Sequence, residues 1–100
     1  MILHRAVFQA KFGKAADLVA AFKQSTSAVT EEQMAAMQPR ILTDFSGSFD
    51  TVVLETTHES MAAYEQFRAA LFASMDASEE PSPVEGLIES GRNEYYTIET

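Results

Sequence analysis

Residues 40–57 constrain the fold more than any other stretch, because two β-rich runs follow each other with one short turn between them. The runs cover residues 40–46 and 49–57 and are rich in Thr, Val, Ile, Leu and Phe, which favour strands. Gly47 lies between them and supplies the positive φ that a tight hairpin turn needs. The stretch is therefore predicted to form an antiparallel hairpin at the centre of a sheet.

A turn around Gly47-Ser48 sets the register of this hairpin. It pairs Arg40 with Glu55 across the strands, and Leu42 with Val53. Successive side chains point to opposite faces, so one face holds Leu42, Asp44, Thr51 and Val53 with Arg40 and Glu55 at its end, and the other holds Ile41, Thr43, Phe45, Val52 and Leu54. Neither face is wholly polar, so both are expected to be covered.

Hydrophobic periodicity predicts the remaining elements. They are a strand over residues 2–11, a helix from Ala15 to about residue 37 that stops before Pro39, a helix from Ser60 to about Met75, a surface loop over residues 76–83, a short helix from Val84 to Ser90 closed by Gly91, and a last strand over residues 92–99. In the first strand, one face carries Ile2, His4, Ala6 and Phe8, and the other carries Leu3, Arg5, Val7 and Gln9.

The first helix has two possible forms. Residues 30–33, Thr-Glu-Glu-Gln, fit a capping box that would start a new helix at that point. Phe22, Val29 and Ala36 are nevertheless spaced by sevens and stay on one side of a helix. This spacing favours a single long helix with a bend near residues 25–30.

The order of the elements predicts the fold class. Strand, helix, strand, strand, helix, strand is the split βαβ pattern of a ferredoxin-like α+β fold, whose four-stranded antiparallel sheet carries both main helices on one face. The other face is left uncovered over on the order of 400 Å², the size at which an apolar patch usually marks an interaction site. A second copy is the simplest cover, because a two-fold axis makes one patch self-complementary. The sequence therefore predicts a homodimer built sheet to sheet.

Composition limits the partners. The 100 residues make a single domain over residues 1–100, and 15 acidic against 7 basic residues give a formal net charge of −8. This charge repels phosphate backbones and anionic lipids, so neither nucleic acid nor a membrane is expected as a partner. No apolar run approaches the ~20 residues that a bilayer span needs, and a cytoplasmic location is the default expectation.

Three stretches carry a family resemblance: residues 40–55, the helix that contains Tyr64, and residues 88–96. Together they resemble the dimeric α+β barrel superfamily, and within it the NIPSNAP-like and antibiotic-biosynthesis-monooxygenase-like (ABM-like) small proteins. The resemblance covers almost the whole chain and implies the fold and the dimer. The superfamily includes cofactor-independent oxygenases, haem-degrading enzymes, isomerases and many proteins with no known activity. Several haem-degrading and oxygenase members use a Trp that has no counterpart in this Trp-free chain, and no cofactor is expected.

Glu55 is the most informative candidate for a functional role. A carboxylate that directly follows the apolar residues 52–54 of a central strand needs an ionic partner or a cavity. A cross-strand ion pair with Arg40 is one interpretation, because buried charges are normally paired. The other is a role in a pocket, either as a general base or together with Arg40 in binding an anionic ligand. A nearby Arg40 would oppose the raised pKa that a general base needs.

His4 is the second candidate. The first strand of this fold lies beside the third and the last, so His4 could approach Glu55 or Tyr95. A lone His on a partly apolar strand is more often a structural residue than a catalyst, although imidazole suits proton transfer. The candidate catalytic residues are therefore His4 and Glu55, and the candidate ligand-binding residues are His4, Arg40, Asp44, Glu55, Tyr64 and Tyr95.

The remaining candidates each have a structural alternative. Asp44 either points into a cavity or lies at the solvated end of the sheet. Tyr64 belongs to an apolar helical stripe, which packs in the core first and lines a pocket second. Tyr95 and Tyr96 point to opposite faces of the last strand, so one is expected to meet the helices and the other the dimer interface.

A metal site is not favoured. Glu55-x-x-His58 resembles a carboxylate–imidazole pair, but such sites place both ligands on one helix turn and need further ligands. The chain has no Cys, and His4 is the only other imidazole. His58, at a strand-to-helix turn, is expected to be solvated. No phosphate-binding glycine loop and no nucleophile elbow is present.

Three functional hypotheses follow. The first is a small dimeric protein that binds a small, partly apolar molecule between its sheet and its helices. The second is a cofactor-independent monooxygenase or isomerase that uses His4, Glu55 and Arg40 around such a pocket. The third is a structural or interaction dimer without a ligand. The sequence leaves open which face of the sheet would line the pocket.

Overall fold

The computed structural model of the chain describes residues 1–25, 30–44, 47, 49–77, 84 and 86–99. Four strands and three helices lie within these ranges: β1 (Ile2–Ala10), α1 (Ala15–Ser25), α2 (Glu31–Met37), β2 (Arg40–Thr43), β3 (Thr51–His58), α3 (Met61–Ala77) and β4 (Ile88–Thr97). Their order confirms the predicted α+β fold of ferredoxin-like type.

The four strands form one antiparallel sheet in the order β2-β3-β1-β4. The hairpin of β2 and β3 has the predicted register, with Arg40 opposite Glu55 and Leu42 opposite Val53. Gly47 has the predicted positive φ, at 104°. Of the predicted turn region, Phe45, Ser46 and Ser48 lie outside the described residues.

The main hydrophobic cluster lies on one face of the sheet, which we call the helix face. Leu18 and Phe22 of α1 pack there against Val52 of β3 and Ala10 of β1, and Leu18 and Val52 are fully buried. The ring of Phe8 lies 5.1 Å from that of Phe22. Because strand side chains alternate, Arg5 and Val7 of β1 point to the opposite side, the open face. The predicted division of the first strand between two faces is confirmed.

The predicted single long helix over residues 15–37 is wrong. Thr30 has extended backbone angles, φ −70° and ψ 157°, and its side chain accepts a hydrogen bond from Gln33 N at 3.1 Å. The Gln33 side chain in turn accepts from Thr30 N at 3.1 Å, which completes the capping box. Two satisfied backbone donors therefore start a separate helix α2, whereas residues 26–29 lie outside the described residues. As predicted, the helical stretch ends at Met37, ahead of Pro39, with Gln38 in the left-handed conformation.

The predicted short helix from Val84 to Ser90 is also wrong, because β4 already begins at Ile88. Pairing with β1 brings Ser90 opposite Gln9 and Gly91 opposite Phe8. Gly91 is not in the left-handed region; a Cβ there would meet the Phe8 ring at 3.1 Å, so glycine allows close packing rather than a helix stop. Of the predicted loop over residues 76–83, residues 76 and 77 belong to α3, and the rest lie outside the described residues.

Two side chains fix the starts of α1 and α3. The Ser60 hydroxyl accepts from Ala63 N at 3.1 Å, which is the predicted cap of α3. Asp50, just before β3, accepts from Gly13 N at 3.0 Å and from Ala15 N at 3.3 Å. The α1 N-terminus is thus capped by a residue from a distant part of the chain.

None of the helices in the described ranges is long and apolar enough to cross a membrane. The cytoplasmic location expected from the sequence stays a prediction.

Candidate functional site

The six predicted ligand-binding residues do not form one cluster but divide between the two faces of the sheet. The helix face carries His4 and Tyr95, with Tyr64 of α3 above them. The open face carries Arg40, Asp44 and Glu55. Consequently His4 meets Tyr95, one of its two predicted neighbours, and lies on the opposite side of the sheet from Glu55.

On the helix face, the imidazole of His4 packs against two phenol rings that also contact each other. Its centroid is 4.5 Å from that of Tyr64 and 5.1 Å from that of Tyr95. His4 Nε2 lies 2.9 Å from Asn93 Oδ1 and 3.4 Å from the Tyr64 hydroxyl. The Tyr95 hydroxyl donates to the Tyr64 hydroxyl at 3.4 Å. We call these four residues, His4, Tyr64, Asn93 and Tyr95, the His4 cluster.

The two tyrosines of the His4 cluster differ in exposure. Tyr64 is only 6% exposed, whereas Tyr95 at the edge strand β4 is 42% exposed. Burial, together with the hydrogen bond to Tyr95, raises the pKa of Tyr64 to about 12. Tyr64 therefore remains a neutral phenol at physiological pH, with its hydroxyl between the Tyr95 hydroxyl and the His4 imidazole.

His58 extends the aromatic surroundings of this cluster. It is the last residue of β3 and is 6% exposed, so the expectation of a solvated side chain is wrong. Its Nε2 lies 2.8 Å from the Thr56 hydroxyl, and its ring lies 5.2 Å from that of Tyr64 and 5.8 Å from that of Phe67. Burial lowers the pKa of His58, and the nearby His4 lowers it further. Both effects favour the neutral imidazole.

Sequence reasoning missed two members of this region. The alternation of β3 does place His58 on the same face as Val52, but only the position of α3 shows that the side chain is buried. Asn93 gave no sequence signal beyond the same alternation on β4. The predicted division of Tyr95 and Tyr96 between opposite faces is confirmed, because Tyr96 donates to Glu94 on the open face at 3.0 Å.

Glu55 lies on the open face between two arginines. The predicted pair with Arg40 is confirmed, with a hydrogen bond from Arg40 Nη2 to Glu55 Oε1. Arg5, which the sequence did not single out, places Nε 2.9 Å from Glu55 Oε2. The buried Arg5 N–H is not aligned with that oxygen, so this contact is an ion pair without a hydrogen bond. The side chain of Glu55 is 8% exposed, as expected for a carboxylate covered by its partners.

Glu94 continues the charged contacts at the other edge of the sheet. Its carboxylate accepts from Arg5 Nη1 at 3.2 Å and from Arg92 Nε at 3.0 Å. The hydrogen bond from Arg92, followed by that from Tyr96, lowers the pKa of Glu94. Arg5 therefore pairs with one carboxylate on each of the two strands beside β1, Glu55 on β3 and Glu94 on β4.

A cavity of about 430 Å³ lies on the open face beside these charges. Its lining residues come from β1, β3 and β4 and from Asp44, which directly follows β2: Val7, Phe8, Gln9, Asp44, Thr51, Ser90, Gly91 and Arg92. Asp44 Oδ1 accepts from Thr51 N at 3.2 Å, which holds the carboxylate at the wall of the cavity. Asp44 therefore lines a cavity on the open face of the sheet, and its role in ligand binding stays a prediction.

Glu55 and His58 lie three residues apart in a strand and therefore face opposite sides of the sheet. They are unable to share a metal ion. In the part of the chain that the structure describes, no group of three His, Asp or Glu side chains is placed to hold one.

Comparison with known proteins gives a result at the level of the fold. No protein-family model and no curated protein sequence matches the chain. Among solved structures, a NIPSNAP domain protein from Burkholderia xenovorans is similar with a TM-score of 0.71 and 14% identity, over 98% of this chain and 94% of that one. The chain has the fold of NIPSNAP domain proteins.

Two further structures support the NIPSNAP-like and ABM-like fold. A NIPSNAP family protein from Agrobacterium tumefaciens matches with a TM-score of 0.72 and 15% identity, over 96% of this chain and 90% of that one. A mutant of MhuD, with two manganese protoporphyrin IX molecules bound per active site, matches with a TM-score of 0.80 and 13% identity, over 100% of this chain and 96% of that one. The predicted resemblance is thereby confirmed for the fold.

Proposed function

We propose that the protein binds a small, partly apolar molecule at the His4 cluster, between the sheet and α3. One observation carries the proposal: hydrogen bonds lead from the half-exposed side chain of Tyr95 to the hydroxyl of the buried Tyr64 and on to His4. Buried polar groups beneath an exposed aromatic edge are typical of ligand sites, which combine apolar walls with a few convergent polar atoms.

The geometry of these hydrogen bonds indicates the chemistry of the ligand. Both the Tyr95–Tyr64 and the Tyr64–His4 contacts are 3.4 Å, longer than the usual 2.7–2.8 Å of a hydroxyl hydrogen bond. A ligand hydroxyl or carbonyl at this position would form shorter bonds than the residues form with each other. The rings of Phe67 and His58 line the buried side. The favoured ligand is an aromatic ring with one hydrogen-bonding group.

An enzyme that uses His4 and Glu55 together is less well supported than binding. The two side chains lie on opposite faces, and two arginines surround Glu55. A cofactor-independent monooxygenase or isomerase would therefore depend on His4 and Tyr64 without Glu55. That activity is the second candidate, because a phenol beside an imidazole supports proton transfer to or from a bound ligand.

The porphyrin of the MhuD structure does not transfer to this chain. His4 Nε2 already lies 2.9 Å from Asn93 Oδ1 and 3.4 Å from the Tyr64 hydroxyl. A porphyrin metal at Nε2 would have to displace both groups. The surroundings of His4 Nε2 therefore do not fit a bound metalloporphyrin.

We also propose that the protein is a homodimer whose two open faces pack together. The open face carries Leu42, which is 37% exposed, and Tyr96, which is 49% exposed, whereas α1 and α3 pack on the helix face. A sheet with one uncovered face of this size needs a partner, and a second copy fits it by symmetry. A dimer without ligand binding is the third, purely structural, alternative.

Titration with 1-naphthol, a bicyclic phenol, tests the ligand proposal. Two-dimensional NMR spectra should show shifts at His4, Tyr64 and Tyr95, and Tyr64→Phe and Tyr95→Phe should each weaken binding by about tenfold, the effect of one hydrogen bond of ~1.4 kcal/mol. Tyr96→Phe, on the open face, is the matched control and should bind as the native chain does. Chemical-shift changes confined to residues of the open face, or an equal loss of affinity in all three variants, would contradict the site.

Native mass spectrometry of the gently purified protein reports the dimer and any retained ligand together.

A further inference from the structure

The open face carries four charged residues in one line across the sheet, which we call the charge row. From one edge to the other they are Arg40 on β2, Glu55 on β3, Arg5 on β1 and Glu94 on β4. Each neighbouring pair is in direct cross-strand register. Ion pairs connect all four: Arg40 with Glu55, Glu55 with Arg5 at 2.9 Å, and Arg5 with Glu94 at 3.2 Å. The charges therefore alternate in sign along the row.

An alternating row discriminates between the ways in which a second copy can pack on the same face. A two-fold axis that runs along the strands, between β3 and β1, reverses the row and places β2 over β4 of the partner. Arg40 then faces Glu94 of the partner subunit, and Glu55 faces the partner's Arg5. A two-fold axis that runs across the strands at the level of the row places each residue of the row over its own copy, which gives four contacts between like charges.

The two end residues have capacity for a second partner. The Arg40 side chain is 65% exposed although it pairs with Glu55, and that of Glu94 is 21% exposed. A guanidinium has five N–H donors and a carboxylate about four acceptor sites, so neither is saturated by its contacts within the chain. Glu55, at 8% exposure, is already covered by its two arginines. New contacts are therefore expected mainly at the ends of the row.

We propose that the charge row sets the arrangement of the homodimer, with the two-fold axis along the strands and Arg40 of each copy paired with the partner's Glu94. The inference rests on the proposed homodimer and adds its register. Opposite charges attract and like charges repel most strongly where packing excludes water, so the alternation favours this arrangement over the crossed one. Rotation about this axis leaves the position of each residue along the strand direction unchanged. The Asp44 end of the open-face cavity therefore faces the partner's Ser90. Each cavity is then closed by the other copy.

A double-mutant cycle on the dimer dissociation constant tests the register. Within one chain, β2 and β4 are separated by three strand spacings, roughly 14 Å, which exceeds the Debye length of about 8 Å at physiological salt. Direct interaction between positions 40 and 94 of one chain is therefore screened, but Glu55 and Arg5 connect them. The same cycle on the free energy of unfolding of the dilute monomer measures this coupling within the chain, and coupling in the dissociation constant in excess of it reports a contact between subunits. The variants are Arg40→Gln, Glu94→Gln and the two combined, measured by sedimentation over a dilution series.

Each single substitution should raise the dissociation constant about tenfold, and the combination should raise it by about the same factor rather than about a hundredfold. Lys14→Gln combined with Glu94→Gln is the control pair, whose effects should multiply. A dimer in which the 40 and 94 effects multiply, or in which neither single substitution matters, overturns the register and leaves the homodimer intact. A monomer at micromolar concentration overturns both. Circular dichroism of each variant establishes that the fold is retained.

Discussion

The Tyr95 hydroxyl donates to the Tyr64 hydroxyl across 3.4 Å and thereby connects the edge strand β4 to the inner surface of α3. Because Tyr64 is buried beneath this contact, its environment controls its ionisation. The pKa of Tyr64 is raised to about 12 from the ordinary value of 10.0, so the folded chain holds the phenol proton more tightly than the unfolded chain does.

Alkaline pH is therefore predicted to destabilise the protein through Tyr64. The stabilising contribution is complete below pH 10 and is lost as the pH rises toward 12, because the unfolded chain ionises first. The free energy of unfolding, measured with urea at several pH values between 9 and 11.5, should fall less steeply in Tyr64→Phe. Tyr96→Phe keeps the Tyr64 contribution and should retain the steeper decline. Identical slopes in native chain and Tyr64→Phe would contradict the assignment.

Acid is predicted to destabilise the protein through His58. The pKa of His58 in the folded chain lies below the ordinary 6.5, because burial and His4 both oppose its charge. The contribution of neutral His58 is complete above pH 6.5 and is lost as the pH falls through the folded pKa.

NMR titration of the His58 ring protons should give a midpoint below 6.5. In His58→Gln the free energy of unfolding should depend less on pH between 7 and 5 than in the native chain. A midpoint at or above 6.5 would show that the imidazole reaches solvent. The same titration of Thr56→Val, which lacks the hydroxyl next to Nε2, separates the effect of that contact from burial.

Glu55 is predicted to stabilise the fold rather than to act in chemistry. Glu55→Gln removes the carboxylate of β3 that Arg40 of β2 and Arg5 of β1 share. Breaking a buried ion pair costs ~3–5 kcal/mol, and exposure of Arg40 reduces the expected loss here to about 2 kcal/mol. Asp17→Asn, which removes the exposed pair with Lys14 at 3.7 Å, should cost less than ~0.5 kcal/mol. Urea unfolding at pH 7 measures both, and equal losses would contradict the role of burial.

The parts of the fold that sequence predicted are those set by local periodicity. The alternation of side chains along the hairpin fixed the pair of Arg40 and Glu55, and the same period divided β1 and β4 between two faces. Helix starts with a local cap were likewise visible, since Ser60 precedes α3 directly. The Thr30 capping box is also present in the sequence, and it determines the helix start despite the seven-residue spacing of Phe22, Val29 and Ala36. A pair of reciprocal hydrogen bonds at the start of a helix is the stronger signal.

The candidate site was less predictable, because it depends on contacts between distant elements. Residues 84–90 have a locally helical pattern, yet pairing with β1 turns Ile88 and its neighbours into strand. The burial of His58 depends on how α3 lies over β3. His4 and Glu55 are separated because the register between β1 and β3 places them on opposite faces of the sheet. The residue types alone do not determine that register.

Asp50 makes a long-range contact of this kind, because it caps the start of α1 from a position just before β3. Its carboxylate accepts from Gly13 N at 3.0 Å and Ala15 N at 3.3 Å, while its own backbone has a φ of 59°. Asp50→Asn tolerates this left-handed conformation but keeps only one acceptor oxygen. Asp50→Gly relieves the conformation and removes both acceptors. Loss of a helix cap costs typically ~1 kcal/mol, so we expect about that loss in Asp50→Gly and a smaller one in Asp50→Asn.

Hydrogen exchange locates the effect of these substitutions. The first turn of α1 should exchange faster in Asp50→Gly than in the native chain, because Ala15 N loses its partner, whereas α3, capped by Ser60, should be unaffected. Ser60→Gly is the matched control and should reverse the pattern. Uniform acceleration across both helices in Asp50→Gly would mean that the residue acts on global stability rather than on the start of α1. A native-like exchange rate at Ala15 would mean that the contact with Asp50 does not cap the helix.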